Sequence, residues 1–407
     1  MHRPTAYLGL QTLLLLTQCV AGRPNGQRAA APHAIYMMTN DEANGVIALP
    51  VRPDGLLSHG TVTKTGGAGS VALHSDGNPG TPDALVSQSA LTIAGEHIFA
   101  VNAGSNSLSM LAVSPTDPTQ LRVVGQPVTI PGDFPNTVAA STMNSLVCVG
   151  TTGSKNGVSC STFSDDGLGP MDELRSFDLR QTTPPVGPPN TVSQVFFSPD
   201  ETQLFCTVKG NPAANKTGFF SAFPVEQDSP CGGAHGAPRL ARKDTRSVPA
   251  GSAVLFGSLN IPGTSNVFAT DASFGALILS MNPTSRMATT VARAQIPDQQ
   301  ATCWATISPA TGTGFVTDVL VNRLVEINLK DASIVSQLNL TANGDQGLVD
   351  LQAAGDFLYA LSPGNGSTEA AVTVVDVSGG PGSGKMVQHF ELQGLAGPRA
   401  MGMAVLV

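Results

Sequence analysis

One pattern recurs along this chain and constrains everything else. An apolar run ends in a small or polar residue. A short turn follows, and then a second apolar run begins. Seven segments fit: residues 35–40 with 46–49, 98–102 with 108–111, 146–149 with 158–160, 204–209 with 219–223, 267–271 with 276–279, 315–318 with 324–327, and 357–361 with 371–375. β-Branched and alternating apolar residues dominate the runs, and Gly, Asn, Asp, Ser and Pro cut them, so they read as strands rather than helices. Six of the units have a further strand just upstream, as in 90–93, 192–198, 303–308 and 348–353. The first unit has none. Instead the chain ends on an unassigned strand, 402–407.

A period of roughly 45–60 residues with four strands per unit is the signature of an all-β, seven-bladed β-propeller. An open stack would leave an apolar face bare at each end, so the ring is expected to close by pairing the C-terminal strand with the first blade. The rival is a pair of β-sandwiches, which requires neither the repeat nor the spare terminal strand. The Pro-rich stretch 182–189 reads as a blade-to-blade connection, because the repeat resumes in phase after it. Residues 229–249 read as an insertion in the fourth blade, carrying Arg239, Arg242, Lys243 and Arg246 either on a solvated loop or on a protease-sensitive or ligand-binding basic loop.

The N-terminus reads as an address. His2 and Arg3 precede an apolar stretch, 6–16, that is too short to span a bilayer, and Cys19-Val20-Ala21 supplies small residues for cleavage. The expected layout is a signal peptide over 1–21, a short linker over 22–33 and the propeller over 34–407, with no membrane span and with the product secreted. Only 12% of the residues are charged and the net charge is -8, which argues against a nucleic-acid partner. A secreted chain is expected to oxidise its cysteines. Cys148 and Cys160 flank a hairpin turn and could face each other on paired strands. Cys206 and Cys231 would staple a long loop, leaving Cys303, beside the lone Trp304, as a buried thiol. Asn215, Asn339 and Asn365 open sequons on expected turns and become candidate glycan sites.

Chemistry is sparse. The histidines after residue 21 are His33, His59, His74, His97, His235 and His389. They form no i, i+4 pair, so no metal site is expected, and no cofactor fingerprint is present. Residues 379–385, GGPGSGK, imitate a phosphate loop. Met386 stands where a Ser or Thr should follow, so a turn between the outer strands of the seventh blade is expected. Polar residues at repeated strand ends are candidates to face the channel. Lys209 and Arg399 could bind a carboxylate, with Asn102, Asn136 and Gln194 as further substrate-binding candidates. Asp271, Asp318 or Asp350 could act as a base.

The run Val195-Phe196-Phe197-Ser198-Pro199-Asp200-Glu201-Thr202-Gln203-Leu204-Phe205, leading to Val208-Lys209-Gly210, resembles a blade start of the lactonase-type seven-bladed propellers. These include 6-phosphogluconolactonase and 3-carboxy-cis,cis-muconate cyclase. The low-charge, cysteine-containing, secreted form is similar to fungal 3-carboxymuconate cyclase-like surface glycoproteins, some of them antigens or adhesins of the cell wall. The resemblance implies cofactor-free cycloisomerisation of a carboxymuconate or hydrolysis of a lactone, by a monomer whose partner is a small carboxylate or lactone. It also implies an alternative, a non-catalytic scaffold that binds a host or extracellular-matrix surface. Ser193-Gln194 stands where many relatives carry His-Gln before the blade strand.

Overall fold

The computed structural model describes residues 33–227 and 237–407. The signal-peptide and linker expectations, apart from His33, lie outside the described residues, as do Cys231 and His235. The described chain is almost wholly β, with two single-turn 3-10 helices, Pro212–Ala214 and Thr341–Asn343. No helix among the described residues is long and apolar enough to cross a membrane.

The strands form seven antiparallel sheets of four or five strands. Their innermost strands are Met401–Leu406 in blade 1, Leu91–Ala94 in blade 2, Pro135–Ser141 in blade 3, Val192–Phe197 in blade 4, Leu255–Asn260 in blade 5, Thr302–Ile307 in blade 6 and Leu351–Ala354 in blade 7. Each packs beside the inner strand of the next blade, and the series returns from blade 7 to blade 1. This is a closed seven-bladed propeller.

The repeated run pairs seen in the sequence are the second and third strands of each blade. Ala34–Met38 and most of Gly45–Pro50 are fully buried along their length. Both faces of these strands press against neighbouring blades, so they read as continuous apolar runs rather than as alternation. The outer strands show the opposite. Ala288–Gln295 and Ile334–Asn339 alternate between covered and open residues because one face meets water.

Closure occurs inside blade 1. Met401–Leu406 pairs antiparallel with Ala34–Met38, from Ala34 opposite Leu406 to Met38 opposite Met401, with an irregularity between Met37 and Met38. Gly402 sits at that irregularity with φ +73°, and a Cβ there would press on the backbone of Leu91 at 3.1 Å. Blade 7 grips the same strand from the other side. Met403 N–H donates to Asp350 Oδ2 at 2.9 Å, and Gln352 Nε2 donates to Met403 O at 3.0 Å. Farther out, the Tyr359 hydroxyl donates to Gly55 O, and the Gln388 amide both accepts from Leu57 N and donates to Leu57 O.

The connection over 182–189 joins blades 3 and 4, and GGPGSGK is the turn before the outer strand Lys385–Glu391 of blade 7. In the blade 4 insertion, Arg239–Leu240 and Thr245–Ser247 pair with the edge of Phe219–Glu226. Arg246 bonds Asp244 and lies over the Phe219 ring, so residues 239–247 are more structured than a solvated loop. Cys148 and Cys160 are directly opposed on paired strands and form a disulfide. Cys206 is a correction to the expected staple. It is a free thiol on the second strand of blade 4, fully buried in the apolar cluster that also contains Cys148 and Cys160.

Removing residues 401–407 takes away the inner strand of blade 1 together with the buried Met401 and Met403 side chains. The expected loss is roughly 5 kcal/mol or more. In thermal denaturation followed by circular dichroism, the truncated protein should melt well below the full chain or fail to fold. Equal melting temperatures would contradict closure by this strand.

Candidate functional site

The centre of the ring is not an open tunnel. Residues 65–90 link the outer strand Thr61–Lys64 of blade 1 to the inner strand of blade 2, and their last third runs back into the channel. Asp83, Ala84, Leu85, Val86, Ser87 and Gln88 are all buried. The inner strands hold this plug by its polar groups. Gln88 lies against blade 6, where its Nε2 donates to Ala305 O at 2.9 Å and its Oε1 accepts from Ala305 N at 3.0 Å. Trp304 Nε1 donates to Ser87 O, and Gln88 N donates to Ser193 O. A Cβ at Gly257 would stand 2.2 Å from Gln88 Oε1, so blade 5 needs glycine where the plug passes.

Above the plug lies a cavity of about 480 Å³, within the size range of small-molecule sites. Asp83 and Val86 form its floor. Lys209, Phe256, Cys303 and Val319 contribute walls from blades 4, 5 and 6, and Leu320 and His74 reach its rim. Lys209 follows the second strand of blade 4. Its Nζ donates to Val86 O at 2.6 Å and to Ser193 Oγ at 3.2 Å, and it sits 4.5 Å from the centre of the Phe256 ring. Trp304 braces that ring edge-on, with centroids 4.9 Å apart.

Asp83 Oδ1 is buried and receives no hydrogen bond. An orphaned carboxylate oxygen inside a protein is costly and marks either strain or a ligand position. Burial pushes the Asp83 carboxyl up to about 7, against the pull of Lys209. Burial likewise pushes the Lys209 ammonium down to about 8, against the pull of Asp83. The Cys303 thiol is held well above its ordinary value by burial and by neighbouring carboxylates, so it stays protonated.

The residues picked from sequence fall into distinct places. Lys209 lies on the cavity. Asn136 and Gln194 lie in the channel, where they hold the plug. Asn136 Nδ2 donates to Leu85 O and Val192 O, while Gln194 Nε2 donates to Ser89 Oγ and its Oε1 accepts from Ser258 N. Asn102 is fully buried between blades 1 and 2, bonded to Asn44, Thr65, Ser107 and Ser109. Arg399 is half-buried on the connection into the closing strand and does not line the cavity.

The three candidate bases hold backbone amides. Asp271 accepts from Ala253 N, Val254 N and Ser273 N, and Asp318 from Gln300 N, Ala301 N and Leu320 N. Asp350 accepts from Leu351 N and Met403 N. Asp83 went unnoticed in sequence because no strand pattern surrounds it. The available signal was the length of the 65–90 connection, since long irregular segments inside compact domains are often functional. No group of three or more His, Cys, Asp or Glu side chains among the described residues could hold a metal ion.

No family model and no curated protein matches this sequence. Solved structures do match. The periplasmic gluconolactonase of Pseudomonas aeruginosa superposes with a TM-score of 0.61 at 16% identity, covering 92% of this chain and 99% of that chain. A provisionally assigned 6-phosphogluconolactonase of Bacteroides fragilis gives 0.60 at 10% identity, covering 92% and 98%. This chain has the fold of the lactonase-type seven-bladed propellers. A protein from Lactobacillus plantarum gives 0.61 at 11% identity, covering 92% and 100%.

Asp350 yields a pH test. Burial pushes its carboxyl up to about 7, outweighing the two N–H donors. Between about pH 4 and 7 the folded state therefore binds more protons than the unfolded chain at this position, so stability falls as pH rises. Asp350→Asn should remove about 2 kcal/mol of the difference in urea-unfolding free energy between pH 5 and 7. Parallel wild-type and variant profiles would contradict this.

Proposed function

We propose that this protein opens or forms a small lactone in the cavity above the plug, with Asp83 as the general base and Lys209 as the cation facing the developing negative charge. The observation that carries the proposal is the Asp83 carboxylate, buried on the cavity floor with Oδ1 unpartnered. The likeness to solved propellers described as lactonases agrees with it.

In hydrolysis, Asp83 takes a proton from water as its oxygen attacks the lactone carbonyl carbon. The tetrahedral oxyanion forms beside Lys209, in a site whose apolar walls strengthen the attraction. The ring C–O bond then breaks, and Asp83 returns its proton to the departing alkoxide. Water and lactone become a hydroxy acid. With a muconate as the alternative substrate, the substrate's own carboxylate oxygen adds to one carbon of a C=C bond and the protonated Asp83 delivers its proton to the neighbouring carbon, closing the lactone with no water gained or lost.

We also propose that the chain is secreted and glycosylated. Asn215, Asn339 and Asn365 are all exposed, and the Cys148–Cys160 disulfide suits an oxidising compartment. A non-catalytic adhesin remains the alternative outcome of the following assay.

Purified protein should open lactones in a pH-stat assay. Asp83→Asn and Lys209→Met should each lower kcat/KM about 100-fold or more, equivalent to about 2.7 kcal/mol. The base must be ionised and the lysine protonated, so kcat/KM should be bell-shaped with limbs near pH 7 and 8. No turnover on any lactone or muconate would leave the binding-scaffold alternative.

A further inference from the structure

We propose that the cavity selects an uncharged lactone carrying a hydrocarbon substituent and turns away substrates bearing carboxylate or phosphate groups. This rests on the lactonase reading of the site and specifies its substrate class. The charge inventory carries it. Among the described residues lining the cavity, Lys209 is the single Lys or Arg, and Asp83 lies on the same cavity. Arg399, the other cation picked from sequence, lies elsewhere. Two more carboxylates, Asp271 and Asp318, stand behind the Cys303 wall, close enough to act on its thiol. Both accept hydrogen bonds from backbone amides, and neither forms an ion pair with a described residue. His74 is exposed at the rim, where water screens it.

Lys209 has little left to offer an anion. Two of its three N–H donors go to Val86 O and Ser193 Oγ, and the ammonium rests over Phe256. One donor suffices for a carbonyl oxygen becoming an oxyanion. It does not clamp a carboxylate or phosphate, which proteins usually meet with a bidentate arginine or several donors. Thr81 and Gln346 add two uncharged polar side chains, and most of the remaining lining is apolar, with Leu73, Val86, Phe256, Ala301, Val319 and Leu320 among it. Hydrocarbon buried there is favourable, whereas an unpaired anion would lose its hydration without compensation.

The probes are δ-decalactone, a lactone of the same ring size whose substituent ends in a carboxylate, and 3-carboxy-cis,cis-muconate. Binding is measured by calorimetry on the whole protein and turnover by pH-stat. The uncharged lactone should bind at least tenfold more tightly than either anion. Leu320→Arg places a cation on the exposed rim, where folding is not at risk, and should narrow that ratio about tenfold. Equal or tighter binding of either anion by the wild type, an unchanged ratio in Leu320→Arg, or no binding of the uncharged lactone at millimolar concentration would each overturn the selectivity. If δ-decalactone binds preferentially but is not opened, the lactonase reading fails and the selectivity stands. If the carboxylated lactone is opened as well as the uncharged one, the selectivity fails and the lactonase reading stands.

Discussion

The pairing of Met401–Leu406 with Ala34–Met38 is the constraint on which the rest of the structure depends. Sharing one sheet between the two ends of the chain ties the ring shut, so that no terminal blade is left with a bare apolar face. Here the C-terminal strand supplies the inner edge of blade 1, and its other flank is bonded by Asp350 and Gln352 of blade 7. The seam between the last and first blades is therefore stitched near the axis by carboxylate and amide groups. Farther out it is stitched by Tyr359 and Gln388. Every inner strand keeps its position around the channel because this circuit is complete.

A closed circuit of inner strands leaves an axial space lined with backbone groups and short polar side chains. The plug over 83–89 runs through it and pairs with part of those groups, while Asn136 Oδ1, Ser258 Oγ and Thr302 Oγ1 on the inner strands have no hydrogen-bond partner among the described residues. Trp304, Asn136 and Gln194 each donate a hydrogen bond to it, and its own Gln88 bonds Ala305 of blade 6. The result is a blind cavity rather than a through-channel. Its floor comes from the connection between blades 1 and 2, and its walls come from blades 4, 5 and 6. Asp83 and Lys209 meet only because a segment from one side of the ring crosses the axis to reach the other.

The strand repeat was readable because each blade is packed on both faces, which turns the second and third strands into unbroken apolar runs. The Cys148–Cys160 hairpin was readable for a similar local reason, a short turn between two cysteines on adjacent strands. Lys209 was readable as a polar residue at a strand end. Asp271, Asp318 and Asp350 stood out by the same positional logic, yet each carries backbone N–H groups where crossovers or the closing strand arrive. Position along a strand cannot distinguish a carboxylate that caps amides from one that faces a ligand.

By itself the sequence determined the number of blades, the order of their strands and the closing role of the last six residues, because periodicity and a spare strand are local properties of the chain. The tertiary structure decided that the channel is plugged, that Asp83 lies on a cavity with Lys209, and that Cys206 is buried as a thiol. Those outcomes depend on which distant segments share the axis. Only ring closure brings residues 83–89 against strands that lie more than a hundred positions away in the chain.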